Sequence, residues 1–292
     1  MTSTTETIPL GDAPGFRETL QDIFAGRPGA IIALAVVLLF VAVAVLAPWI
    51  APYDPMQQSF LAVNAQPSAK HLLGTDQFGR DVLSRLIYGS RNSLIFGFVS
   101  PVIAAVVGGG LGVIAGFYGG IADRVISRVI DMFMAFPELL LAIVVAAALG
   151  GGFWNVVAVL AIAFTPGFAR VARASTMAVR QEPYIEAAVA SGVRTPVIIL
   201  RHVVPNISAP IVVLMTLWMA SAIRLEATLS FLGIGTQPPQ PSWGNIIREG
   251  LGNMFATSWP ILAGGMAITV VVLAISVVGD AVRDALDPEV KA

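Results

Sequence analysis

The sequence predicts an all-α polytopic membrane protein with six transmembrane helices. Charged residues make up only 12% of the 292-residue chain and hydrophobic ones 56%, with a mean hydropathy of +0.81. Soluble domains carry about 25% charged residues. A hydrocarbon core of about 30 Å takes ~20 helical residues, and apolar runs of that length recur along the chain. Short polar segments stand between them.

Residues 1–28 read as a cytoplasmic tail. The first apolar run, Gly29–Ile50, is longer than the ~7–15-residue core of a signal peptide and reads as a first span. Asn92–Ala122 is charge-free and glycine-rich, and Met132–Gly150 is apolar except for Glu138. Phe153–Ala169 follows a Gly-Gly-Gly turn. Asn206–Leu232 is apolar except for Arg224 and Glu226, and Met254–Gly279 is charge-free. The membrane-spanning body is therefore 29–283, and 284–292 forms a second tail. Two longer loops, 51–91 and 233–253, share one side. Val82, Leu83, Leu86 and Ile87 recur at helical spacing, which predicts an amphipathic helix on the membrane surface. Glycines 108, 109, 110, 112, 116, 119 and 120 suit close helix packing.

Cytoplasmic loops carry the excess of Lys and Arg. With the N-terminus inside, Arg17, Arg27, Arg124, Arg128, Arg170, Arg173, Arg180, Arg194, Arg201, Arg283 and Lys291 are inside. Lys70, Arg80, Arg85, Arg91 and Arg248 are outside. The imbalance favours both termini in the cytoplasm.

The composition also excludes classes. A net charge of −1 supplies no field for nucleic acid. Cysteine is absent, so no disulfide or thiolate chemistry is available. The only lysines are Lys70 and Lys291, and no phosphate-cradling G-x-x-x-x-G-K-[ST] occurs. No proton-relay chain of His, Lys or carboxylates lies inside the spans. No nucleophile with a base is visible, Ser276 included, so the sequence does not read as an enzyme. Arg224 and Glu226 are two residues apart on one helix and do not face each other. They either meet neighbouring helices or snorkel at the outer interface, or they line a polar pathway.

Between the fourth and fifth spans stands EPYIEAAVASGVRTPVIILRHVVPN, residues 182–206. Tyr184, Ala187, Ala188 and Ser191 share a helical face. Gly192 can take the left-handed conformation that ends a helix. Thr195 offers a cap and Pro196 suits a first helical turn. The spacing predicts helix, glycine turn, helix. From shape alone an ordinary interhelical loop is an equal reading.

Glu186-Ala187-Ala188, Gly192 four residues later and Pro205 beyond resemble the cytoplasmic coupling motif of permease subunits of bacterial ATP-binding-cassette (ABC) importers. HLLGTDQFGRDVLSRLIYGSRNSL (71–94), SFLGIGTQPPQPSWGNII (230–247) and GDAVRDALDP (279–288) resemble signatures of the dipeptide and oligopeptide subfamily, C-type subunit. Leu72 stands where relatives often carry Pro. The resemblance spans about 28–288. It implies the type I importer transmembrane fold in a bacterial inner membrane. It also implies ATPase coupling through Tyr184, Glu186, Ala187, Ala188, Ser191, Gly192 and Pro205. The implied partners are a homologous second permease, one or two ABC ATPase subunits, an extracytoplasmic substrate-binding protein and membrane lipid. This chain would bind no cofactor; ATP and Mg would sit on the ATPases. The substrate class implied is di- or oligopeptides, with glutathione-like peptides and nickel complexes also handled by the subfamily. A secondary transporter or channel without ATP is the alternative, and it would not need the 182–206 segment.

Overall fold

The computed structural model describes residues 27–286, so the two expected tails lie almost wholly outside the described residues. Helix α1, Pro28–Ile50, starts with proline at its first turn, where no N–H is needed. Its buried positions are all alanines, while Ile31, Ile32, Leu38 and Leu39 face outward, as lipid permits.

Helix α2, Val82–Tyr118, is a single helix of 37 residues, about 55 Å long. The separate surface helix expected at 82–87 is therefore corrected: those residues prolong the second span outward. Asp81 caps the start by accepting from Ser84 N–H at 2.8 Å, and no breaker follows before the span. Gly119 and Gly120, with φ of +65° and +57°, end α2 earlier than expected and turn the chain into α3, Gly120–Met134.

The expected third span, Met132–Gly150, is broken. Helix α3 and helix α4, Glu138–Leu149, meet at a 96° bend. Pro137 has no N–H and disfavours helix at Phe136, which accounts for the break. Helix α4 has 12 residues, only ~18 Å. Among the described residues, five helices are long and apolar enough to cross a membrane, and six crossings result if the bent pair counts as one span.

Helix α5, Phe153–Arg180, runs past the expected end at Ala169 and carries Arg170, Arg173 and Arg180. Helices α6 (Pro183–Ala190), α7 (Thr195–Ile198) and α8 (Val204–Asn206) follow, the last two joined by a wide turn at Ile199–Val203. Pro205 cannot donate a backbone bond, and a widened turn upstream is a common accommodation. The remaining helices are α9 (Ser208–Phe231), α10 (Trp243–Leu251) and α11 (Trp259–Leu286). Arg27 Nη1 meets Asp284 Oδ2 at 3.1 Å, so both described ends share one face.

The central contact is α2 against α5. A Cβ at Gly108 or Gly112 would collide with the carbonyl of Thr165 or Ala169, and one at Gly116 would lie 2.8 Å from Arg173 O. These three glycines, four apart, let the two backbones touch. Gly109 and Gly110 have open space instead. Above this pair, Phe96, Phe164 and Phe168 are fully buried.

Candidate functional site

The 182–206 segment folds as a helical hairpin fixed to the α2–α5 pair. Helix α6 ends with a paired closure. Gly192 N–H donates to Val189 O at 3.0 Å, and Val193 N–H to Ala188 O at 3.1 Å. Gly192 has φ +74°, the left-handed residue such a closure uses. Thr195 does not cap: Arg194 holds the cap position of α7 and no side chain bonds there, because helical geometry begins one residue earlier than expected. Ile185, Ile198, Val203 and Ile207 are buried together with Val113 and Phe117 of α2 and Ala172 of α5. The hairpin is thus anchored by its own apolar side chains.

The outward face differs from the expected one. Tyr184, Glu186, Ala187 and Ser191 are exposed, but Ala188 is half-buried and packs toward the same core as Ile185. An inward pair at i and i+3 leaves the rest of this short helix free. Val189 (56% exposed) and Leu200 (71%) join the free face, and sequence reasoning did not single them out. Their apolar character in an otherwise polar segment was the available signal. Glu186 makes no ion pair among the described residues and borders a cleft with Arg180 and Asp123. Pro205 is exposed at the entry to α9, accepting from Ser208 Oγ at 2.7 Å.

On the opposite side, the 71–94 stretch builds a cap over α10. Arg80 Nε meets Asp76 Oδ2 at 2.7 Å, and Arg85 Nη2 meets Glu249 Oε2 at 2.8 Å. Arg80 Nη2 also reaches Glu249 Oε2. All four side chains are nearly sealed from solvent, so paired carboxylates are required to hold the guanidiniums there. His71 Nδ1 lies 2.9 Å from Asp81 Oδ1, which also caps α2.

Arg224 and Glu226 part company. Arg224 is exposed, with one bond to Ser221 Oγ at 2.9 Å. Glu226 is fully buried beneath the 233–242 loop, where Ser230 Oγ donates to its Oε1 at 2.6 Å and Thr236 Oγ1 lies at 3.3 Å. Ser230 Oγ in turn accepts from Thr236 N–H at 3.0 Å. Asn245 Nδ2 bonds Thr236 O at 2.6 Å, which ties α10 to the same knot. The structure therefore places Glu226 inside the subunit, with no opening toward a pathway.

This arrangement, a bundle of spanning helices with an anchored hairpin at one end and a folded cap at the other, has relatives among known proteins. Residues 108–292 match the model for "Binding-protein-dependent transport system inner membrane component". Residues 20–67 match that for the N-terminal transmembrane domain of oligopeptide transport permease C. The chain belongs to this family of binding-protein-dependent transport permeases. It is an inner-membrane, multi-pass transport subunit that works with separate ATPase and other subunits and is not itself an enzyme. The permease is 38% identical to the dipeptide transport system permease protein DppC of Haemophilus influenzae over 97% of this chain and 98% of that one. It is 41% identical to the glutathione transport system permease protein GsiD of Pectobacterium atrosepticum, over 87% and 85%. A chain of the inward-facing MetNI methionine ABC transporter shares the fold, with a TM-score of 0.55 at 20% identity, covering 70% of this permease and 96% of that chain.

Proposed function

We propose that this permease forms half of an ATP-driven importer for di- or oligopeptides, paired with a homologous second permease and oriented with both termini in the cytoplasm. Residues 182–206 dock in a groove of an ABC ATPase subunit that carries ATP and Mg. A binding protein delivers the peptide to the 51–91 and 233–253 side. The named substrates of the relatives, dipeptide and glutathione, are both short peptides, which supports the substrate class.

One observation carries the coupling role. The hairpin exposes Tyr184, Ala187, Val189 and Leu200 on its free face while Ile185, Ile198 and Val203 bind it to α2 and α5. A displacement of the hairpin is thereby passed to a helix pair that the glycine contacts hold as one body. A lever of this kind shifts the spans only if the ATPase grips it differently in two states.

The test is reconstitution with an ATPase, a second permease and a binding protein of this family from the same organism. Peptide uptake into vesicles should require ATP, and this subunit alone should hydrolyse none. Uptake that persists without the ATPase subunits would reject the reading.

A further inference from the structure

The outer cap leaves one cation unmatched. Arg80 and Arg85 share Asp76 and Glu249, all four nearly sealed from solvent. Arg248, one residue before Glu249, is exposed and has no ion pair among the described residues. Its guanidinium lies over Gly233, where a Cβ would stand 2.9 Å from Nη2. Arg248 and Glu249 line a cleft of about 440 Å³ together with Gln77, Phe78, Pro238 and Pro239. Arg80 stacks on the Phe78 ring, its Cζ 4.6 Å from the centroid, which fixes one wall of the cleft. Three arginines against two carboxylates leave one positive charge, and Arg248 presents it to solvent.

Bare apolar side chains stand beside this cleft. Phe60, Leu61 and Phe255 are almost wholly exposed. A Cβ at Gly79 would collide with Ser59 O, and this close approach brings Phe60 beside the Phe78–Arg80 wall. Asn253 Nδ2 donates to Gln77 Oε1 at 2.6 Å, and Gln66 Nε2 to Ala256 O at 2.9 Å. These bonds hold the turn that carries Phe255 against the same loop. The patch stands clear of lipid. Arg91 of α2 is exposed and charged, so it lies at or beyond the edge of the hydrocarbon. From Arg91 out to Val82, α2 runs nine residues further, ~14 Å. The headgroup layer is only roughly 5–8 Å deep. Exposed aromatic and aliphatic side chains in water around a lone arginine have the composition of a protein-docking surface.

We propose that this patch is where the extracytoplasmic binding protein docks, with Arg248 receiving one of its carboxylates and Phe60, Leu61 and Phe255 covered by apolar side chains around it. This rests on the importer reading and adds the contact surface and its chemistry. A soluble lobe that offers an acidic side chain within an apolar ring complements the patch in both charge and polarity. A free peptide carboxylate matches Arg248 alone and leaves the three apolar side chains in water. Glu249 is held by two arginines, so its charge does not repel the incoming carboxylate.

The test uses the importer assembled in lipid nanodiscs and a binding protein of this family from the same organism. Arg248→Ala should raise the dissociation constant of the binding protein about tenfold, the loss of one charge-assisted bond. Affinity for the wild type should fall as salt rises, and Arg248→Ala should lose most of that dependence, which general damage to the fold would not do. Leu61→Ser and Phe255→Ser should weaken binding and keep the salt dependence. Wild-type affinity in all three variants would overturn the proposal. The chain has no cysteine, so Leu61→Cys introduces a single reactive position. Quenching of a fluorophore attached there by brominated lipid would place the patch in the bilayer, and a crosslink from there to the second permease would give it to that interface; either result also overturns the proposal. A wild-type importer that neither binds the binding protein nor takes up peptide would instead reject the importer reading, and the proposal with it.

Discussion

Gly192 and Glu226 show how much a single residue can reveal. The left-handed turn at Gly192 was legible because glycine followed a short helix, and its φ is +74°. A side chain there meets nothing within 4 Å, so the cost of substitution is backbone strain alone. Gly192→Val should cost about 1–2 kcal/mol locally and aim bulk into the space an ATPase would fill. Gly192→Asn, a residue tolerant of this conformation, should be much milder. We expect Gly192→Val to insert and pair normally but to lose ATP-driven uptake; uptake equal to wild type would reduce 182–206 to a loop. Glu226 was not legible in the same way. Its spacing from Arg224 excluded a mutual pair, but only the fold could reveal that the 233–242 loop covers it. Snorkelling would make both alanine variants mild. Burial reverses this for Glu226, since Glu226→Ala strands Ser230 and Thr236 at about 1–3 kcal/mol. Glu226→Ala should therefore melt at lower temperature than Glu226→Gln, which keeps an oxygen acceptor, and equal melting of the two would count against the buried knot.

At the level of elements, helix existence was legible and helix ends were not. Hydropathy located the five long spanning helices, but α2 and α5 run well beyond their apolar stretches. Their polar ends are stabilised by contacts that no window of sequence contains: Asp76 and Glu249 hold the arginines at the start of α2, and Asp123 holds Arg173 of α5 through two bonds, one of 2.7 Å. The α3–α4 bend was not legible because Pro137 sits inside a run that is apolar except for Glu138. The glycine cluster was legible as packing, but which glycines pack depends on register. Gly112 touches the α5 backbone, while Gly109 faces open space on the same helix. Gly112→Val should thus separate α2 from α5 and abolish recovery of folded protein. Gly109→Val should have little effect on a monodisperse detergent preparation of this subunit. Equal yields of the two variants would contradict the α2–α5 contact.

Orientation is a property of the whole molecule, set by how Lys and Arg divide between its two sides. Arg80 and Arg85 fall in the outside loop and count against an inside N-terminus. Both are buried and matched by Asp76 and Glu249, but Arg170 and Arg173 on the other side are ion-paired too. The proposed orientation therefore rests on the plain count of Lys and Arg. The two test positions also lie at opposite ends of the bundle. Gln66 is exposed in the segment before α2, and its Nε2 donates to Ala256 O across to the turn before α11. Gln181 is exposed just past the far end of α5, which runs parallel to α2 along the glycine contacts. Neither substitution removes a buried group, so both cysteine variants should fold. In intact cells, Gln66→Cys should react with a membrane-impermeant maleimide, and Gln181→Cys should react only after permeabilisation. The reverse pattern would turn the molecule over, putting the hairpin on the binding-protein side and out of reach of any cytoplasmic ATPase.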